Sequence, residues 1–123
     1  MQQFDNSETT PYGINLVNAL QVSDEFVHKK KVCIIDSGYD ITHPDLQAST
    51  TKVTGAEDGG AGIWSQDGNG HGTHVAGTIA AIGQNGKGVM GVVRSGELNI
   101  HVVRVFGNDG KWAWTSTLMQ AVS

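Results

Sequence analysis

Apolar positions along the chain fall into two kinds of pattern, helical spacings and short unbroken runs, separated by stretches rich in glycine and small polar residues. After the turn signal Pro11-Tyr12-Gly13, Ile14, Val17 and Leu20 recur at helical spacing and predict a short helix over 13–20. A further helical turn is expected from Ser23 to Val27, with Ser23 as its N-cap. Val32-Cys33-Ile34-Ile35 is an unbroken apolar run ended by Asp36-Ser37-Gly38, as in a parallel strand buried on both faces, with Cys33 as core filler.

Residues 39–70 read as mostly irregular, with one short strand at Val53-Thr54-Gly55. From His71 to Ala81 the period returns to helical: Val75, Ile79 and Ile82 mark one face, and Ala76, Gly77 and Ala80 permit close packing. The run Gly83 to Gly88 ends that helix. Leu98 to Phe106, rich in β-branched residues, predicts another strand, Gly107 to Gly110 a turn, and Thr115 or Ser116 the start of a last helix. The pattern stops inside that helix, as in a domain that continues. Strands alternating with helices argue for an α/β fold on a parallel sheet. Residues 1–10 are expected to be an irregular segment, and 11–123 part of one domain.

A chain of 123 residues is enough for a single core. Of its 17 glycines, 12 gather at 55–72 and 83–96, which points to tight turns around a site. With 16% charged and 38% hydrophobic residues the chain reads as globular. A net charge of −4 gives no basis for a nucleic-acid or anionic-membrane partner, and Lys29-Lys30-Lys31 reads as a solvated entry to a strand. The single cysteine, Cys33, excludes an intrachain disulfide and leaves the redox compartment open. No apolar run is long enough to span a bilayer, and the first residues lack the charged-then-apolar pattern of a signal peptide.

Candidate chemistry concentrates at two points. Asp36 stands where an apolar strand ends, and His71 stands at the head of the following long helix after Asp67-Gly68-Asn69-Gly70. In an open parallel sheet, functional groups gather at the carboxyl ends of strands, so the two can meet there. A carboxylate on one imidazole nitrogen sets the tautomer and leaves the other nitrogen free to take a proton from a nucleophile. The competing reading of His71 and His74 as a His-x-x-His metal pair has no third ligand at helical spacing. His74 reads as a packed helix residue, His43 as a hydrogen-bonding partner in a turn, and Asp40, Asp58 and Asp67 as turn and loop residues.

The segment Val32 to Gly38 resembles the subtilisin motif around the catalytic Asp. Asn69-Gly70-His71-Gly72-Thr73-His74-Val75-Ala76-Gly77-Thr78 resembles, almost letter for letter, the motif around the catalytic His. Pro11-Tyr12-Gly13-Ile14, His43-Pro44-Asp45-Leu46 and Gly88-Val89-Met90-Gly91-Val92 agree with the same family, and Asp precedes His in its order. The resemblance to the subtilisin-like serine proteases runs from about Pro11 to Ser123 and implies a doubly wound, mainly parallel α/β sheet, incomplete in this chain. It implies Asp36 as the residue that orients the imidazole and His71 as general base and acid in a serine endopeptidase working through an acyl-enzyme. The motif Gly-Thr-Ser-Met-Ala is absent, so this stretch is expected to be inactive without the C-terminal part of the same protease.

The resemblance further implies polypeptide substrates, met by Val105, Phe106, Gly107, Gly110, Trp112 and Trp114. It implies a structural calcium ion on Asp45, the Asn85 side chain, the Lys87 and Val89 carbonyls, and Glu8, which stands where the family carries Gln. The loop after the His helix is one residue longer than the family's usual form. A secreted location and activation from a propeptide belong to the same set of expectations. The other reading is a truncated, non-catalytic α/β binding or interaction module derived from a subtilase.

Overall fold

The computed structural model describes residues 8–57 and 60–111, together with Met119 and Val122. A short helix α1 (Tyr12–Leu16) leads into strands β1 (Lys31–Asp36) and β2 (Val53–Glu57), helix α2 (His71–Ala80) and strand β3 (Asn99–Arg104). The three strands pair in the order β1-β3-β2, with both pairings parallel. The last strand in sequence is thus the central one: Asp36 and Glu57 both lie in register with Arg104. The strand ends therefore converge on one edge, where the chemistry predicted from sequence also lies.

The early helical signals are shorter than their spacing suggests. Asn18 adopts a left-handed conformation (φ 58°), which breaks the expected 13–20 helix and starts a 3-10 turn at Ala19–Gln21. Ser23 does not cap a helix from 23 to 27; its hydroxyl accepts the Glu25 amide at 3.0 Å, and a 3-10 turn follows at Val27–Lys29. That bond is the one an N-cap serine makes to the second residue of a helix, but the turn it starts does not continue as a helix. β3 stops at Arg104, two residues short of expectation, although the Val105 amide still donates to the Asp36 carbonyl at 2.8 Å. The helix expected from Thr115 or Ser116 falls largely outside the described residues.

The core lies between α2 and one face of the sheet: Ile34, Val53, Ile100 and Val102 meet Ala76 and Ala80, and Tyr39, Leu46 and Leu98 close its margins. Each large apolar side chain buried there contributes roughly 1.5–3 kcal/mol. The buried stripe of α2 is Gly72, Ala76 and Ala80, whereas Val75 and Ile79 pack only partly against the core. Small residues at every fourth position let the helix axis approach the sheet closely, and the bulkier neighbours fill its flanks. The contact is tightest at Gly72, where an added Cβ would collide with the Gly38 carbonyl oxygen.

Cys33 is exposed, not core filler. In β1 only Ile34 is fully buried, because strand side chains alternate between faces and α2 covers only one of them. Cys33 shares the other face with its register partner His101, whose Nδ1 lies 2.8 Å from Thr54 Oγ1. Tyr39 is fully buried and donates its hydroxyl to the Gln47 carbonyl at 2.6 Å, and burial raises its pKa well above the ordinary phenol value.

Gly72→Ala is expected to force α2 off the end of β1 and cost about 1–3 kcal/mol. Thermal denaturation of the full-length protein carrying this sequence checks it: an unchanged midpoint would show that the close approach is not needed.

Candidate active site

Asp36 ends β1 with its side chain 13% exposed, and His71 begins α2 with its side chain 70% exposed. His71 Nδ1 lies 2.9 Å from Asp36 Oδ1 and 3.0 Å from Oδ2. A carboxylate only accepts, so Nδ1 carries the proton, and Nε2 is left as a base. Asp36 Oδ1 also accepts the Ser37 amide at 2.7 Å, which pins the carboxylate against rotation. A cavity of about 260 Å³ opens beside the pair, lined by Asp36, Ser37, Asn69, His71, Phe106 and Gly110. A larger apolar cavity, about 660 Å³, lies against α1 and α2 and includes the exposed His74, but neither Asp36 nor His71 lines it. We place the chemistry at the smaller one, because it alone holds the polarised pair.

The position of His71 is set from beneath by Asp67. Asp67 Oδ1 accepts the Gly70 amide at 2.9 Å and the Ser37 hydroxyl at 2.8 Å. Its Oδ2 accepts the Thr73 amide at 2.8 Å and the Thr73 hydroxyl at 2.5 Å. Ser37 Oγ in turn accepts the Gly72 amide at 2.9 Å, and Asn69 Oδ1 accepts the His71 amide at 3.2 Å. The free amides of the first turn of α2 are thereby satisfied by side chains belonging to both the Asp strand and the His loop. Burial alone raises the Asp67 pKa, but the hydrogen bonds from Thr73, Gly70 and Ser37 outweigh it and hold the carboxyl below its ordinary value. Sequence reading treated Asp67 as a loop residue and passed over Ser37. The available signal was the acid four residues before His71, close to a capping distance.

The other residues singled out from sequence fall in two places. Val105 is buried, Phe106 and Gly110 border the cavity, and Gly107 accepts the Gly110 amide at 3.0 Å in the turn between them. Trp112 and Trp114 lie outside the described residues. Asp45, 3% exposed, accepts Asn85 Nδ2 at 2.6 Å and the Val89 amide at 2.8 Å. The Lys87 amide donates to Asn85 Oδ1 at 3.2 Å, and Glu8 accepts the Gln84 and Asn85 amides at 2.9 and 3.0 Å. Glu8, Asp45 and the 84–89 loop therefore form one oxygen-rich cluster. His43 acts as a turn residue, its Nδ1 accepting the Asp45 amide at 3.1 Å.

Residues 28–123 match the model of the Subtilase family. The chain belongs to the subtilase family. It is 41% identical over 114 residues to Subtilisin BL of Lederbergia lenta, which covers 89% of this chain and 39% of that protein. It is 38% identical over 120 residues to the Major intracellular serine protease of Bacillus subtilis (strain 168), covering 92% of this chain and 37% of that protein. The crystal structure of Apa1, a psychrophilic subtilisin-like protease from the Antarctic psychrotroph Pseudoalteromonas sp. AS-11, superposes with a TM-score of 0.83 at 50% identity. That match covers 94% of this chain and 26% of the Apa1 chain, so the subtilase sequence in hand spans well under half of its relatives. The α/β fold on a parallel sheet is the subtilisin-like fold in part. No helix among the described residues is long and apolar enough to cross a membrane.

The lowered pKa of Asp67 has a definite sign. A group whose folded pKa is depressed stabilises the fold above its unfolded value, about 4, and loses that contribution as pH falls through the folded value. Asp67→Asn is therefore expected to destabilise the full-length protein at pH 7 and to flatten the fall in stability below about pH 4. Urea midpoints measured from pH 7 to pH 3 test this, and parallel curves for variant and wild type would refute it.

Proposed function

We propose that this subtilase sequence supplies the Asp and the His of a serine endopeptidase, and that the observation carrying this reading is the Nδ1-bonded His71 whose imidazole stands exposed at an open cavity. The nucleophile is a serine hydroxyl held against Nε2 by sequence outside these residues. His71 Nε2 takes the hydroxyl proton as the serine oxygen attacks the peptide carbonyl, and Asp36 stabilises the imidazolium. The tetrahedral oxyanion is held by donors that also lie outside this chain. As the C–N bond breaks, the leaving amine takes the proton from Nε2; water then attacks the acyl-enzyme, with His71 again as base, and releases the acid. Alone, residues 1–123 turn over no peptide, because they carry no serine in the nucleophile's motif.

In the same proposal, residues 11–123 are the N-terminal part of the catalytic domain, partnered by its C-terminal part and folded with the help of a propeptide. An extended polypeptide substrate pairs with the backbone from Val105 to Gly107, while Phe106, Gly110 and the segment holding Trp112 and Trp114 shape its side-chain pockets. A non-catalytic binding module is the other reading, but a binding surface has no need of an imidazole fixed in one tautomer by a carboxylate. An extracellular location follows the family resemblance, although one relative bears "intracellular" in its name.

A structural calcium ion fits the second cluster by its chemistry. Asp45 is a buried carboxylate with no cation among the described residues to balance it, and the Glu8 carboxylate and the Asn85 side-chain oxygen lie at the same loop, oxygen donors of the kind hard cations take. We assign Asp45, Asn85, Glu8 and the Lys87 and Val89 carbonyls to it. The ion would tie the 84–89 loop and residue 8 to the rest of the domain and takes no part in the reaction.

Two measurements test these readings in the full-length protein. His71→Ala is expected to lower kcat/KM on a peptide amide by about 10⁴-fold or more, the scale known for such triads, with a smaller but still large loss for Asp36→Asn; retention of activity in His71→Ala would end the protease reading. Calcium at about ten times a millimolar Kd is expected to add about 1.4 kcal/mol of stability, read as a rise in Tm, and Asp45→Ala to abolish the increment. A calcium response unchanged in Asp45→Ala would move the ion elsewhere.

A further inference from the structure

Arg104 is 3% exposed, as deeply buried as any charged side chain described, yet no carboxylate lies within ion-pair distance of it among the described residues. The four hydrogen bonds its guanidinium donates among the described residues all go to neutral oxygens. Nε donates to the Phe106 carbonyl at 3.0 Å, Nη1 to the Ile63 and Gln66 carbonyls at 2.9 and 2.8 Å, and Nη2 to Asn108 Oδ1 at 2.7 Å. Burying a cation without a counter-ion is costly, and its partners are worth the cost only if they hold something in place. Those partners belong to two separate chain segments. Ile63 and Gln66 lie in the loop that runs into Asp67 and His71, whereas Phe106 and Asn108 lie in the segment that leaves β3 and borders the His71 cavity.

Asn108 extends the link. The same Oδ1 that Arg104 holds accepts the Gly68 amide at 3.0 Å, and Asn69 Nδ2 donates to the Asn108 carbonyl at 3.5 Å. Asn69 Oδ1 then accepts the amide of His71 itself. A path of hydrogen bonds thus runs from Arg104 through Asn108 and Asn69 to the backbone of the base, and a second ends at the carbonyl of Gln66, the residue before Asp67.

We infer that Arg104 is a positioning residue that fixes the distance between the His71 loop and the Phe106–Gly110 wall, and so sets the geometry of the general base and the peptide-binding strand together. The inference rests on the protease reading above. A planar guanidinium with donors pointing in fixed directions can span both segments at once; an ammonium reaches fewer of these oxygens. Loss of the clip lets base and substrate wall drift apart, and displacement on the order of 1 Å costs about 10²-fold in rate. The effect falls on both kcat and KM for an extended peptide. For a small serine-directed sulfonyl fluoride, which needs the base but not the wall, it falls less.

The test uses full-length wild type, Arg104→Met, Arg104→Lys and Asn108→Ala. Expected for Arg104→Met is a fall of about 10- to 100-fold in kcat/KM on an extended peptide, shared between kcat and KM. The sulfonyl fluoride should label it with a smaller deficit, and Arg104→Lys should recover part of the loss. Asn108→Ala removes one acceptor at an exposed position, so it is expected to fold with a modestly lowered Tm while shifting kcat and KM in the same sense, which serves if Arg104→Met does not fold. Wild-type kcat and KM in a folded Arg104→Met, or in Asn108→Ala, would overturn the inference. A wild type that neither cleaves peptide nor labels through His71 would overturn the protease reading itself, and with it this role for Arg104.

Discussion

The close approach of the first turn of α2 to the end of β1 is the constraint on which the rest of this structure depends. It brings His71 to Asp36, 35 positions apart in the chain. Two features make it possible: Gly72, whose missing side chain leaves room for the Gly38 carbonyl, and the stripe of Ala76 and Ala80 behind it. Had that stripe been valine or leucine, the helix would sit farther from the sheet, and the imidazole would leave hydrogen-bonding range of the carboxylate. The packing of the core and the geometry of the reacting pair are one requirement, not two.

Around that contact the polar groups form a closed set. Asp67 accepts four hydrogen bonds from the head of α2 and from Ser37, and Ser37 passes the link back to the Gly72 amide. A helix start needs acceptors for its free amides, and here they come from the loop and the Asp strand instead of from an N-cap side chain, since Gly70 has none to offer. Capping the helix and aligning the base are consequently performed by the same atoms. Arg104 carries the alignment outward, from the His loop to the segment beyond β3.

The oxygen cluster of Glu8, Asp45 and the 84–89 loop lies at the C-terminal side of α2, away from the reacting pair. Its buried carboxylate is compensated by an amide and an asparagine, which are partial charges only. Thr9 braces the chain's first described residues against the same loop by donating its amide to the Gly88 carbonyl at 2.7 Å.

Much of this was legible in residue order alone. The apolar run before Asp36, the helical spacing after His71 and the β-branched stretch before Phe106 point to two strands and a helix locally, because short β-branched runs bounded by turn residues favour strands and a three-to-four spacing favours a helix. The motifs around Asp36 and His71 named the family and the pair. What sequence could not decide is which faces are covered and which distant atoms meet. Cys33 was read as core and is exposed, since an unbroken apolar run does not say whether one face of a strand is packed or two. The 13–20 helix gave way to a left-handed Asn18, and the 23–27 turn to a 3-10 turn at Val27–Lys29, local alternatives that periodicity does not register. Asp67 and Arg104 look like ordinary loop and strand residues in one dimension. Their roles arise only when the sheet order places β3 between β1 and β2, because partners 30 to 41 residues apart in sequence acquire hydrogen-bonding distances only through tertiary packing.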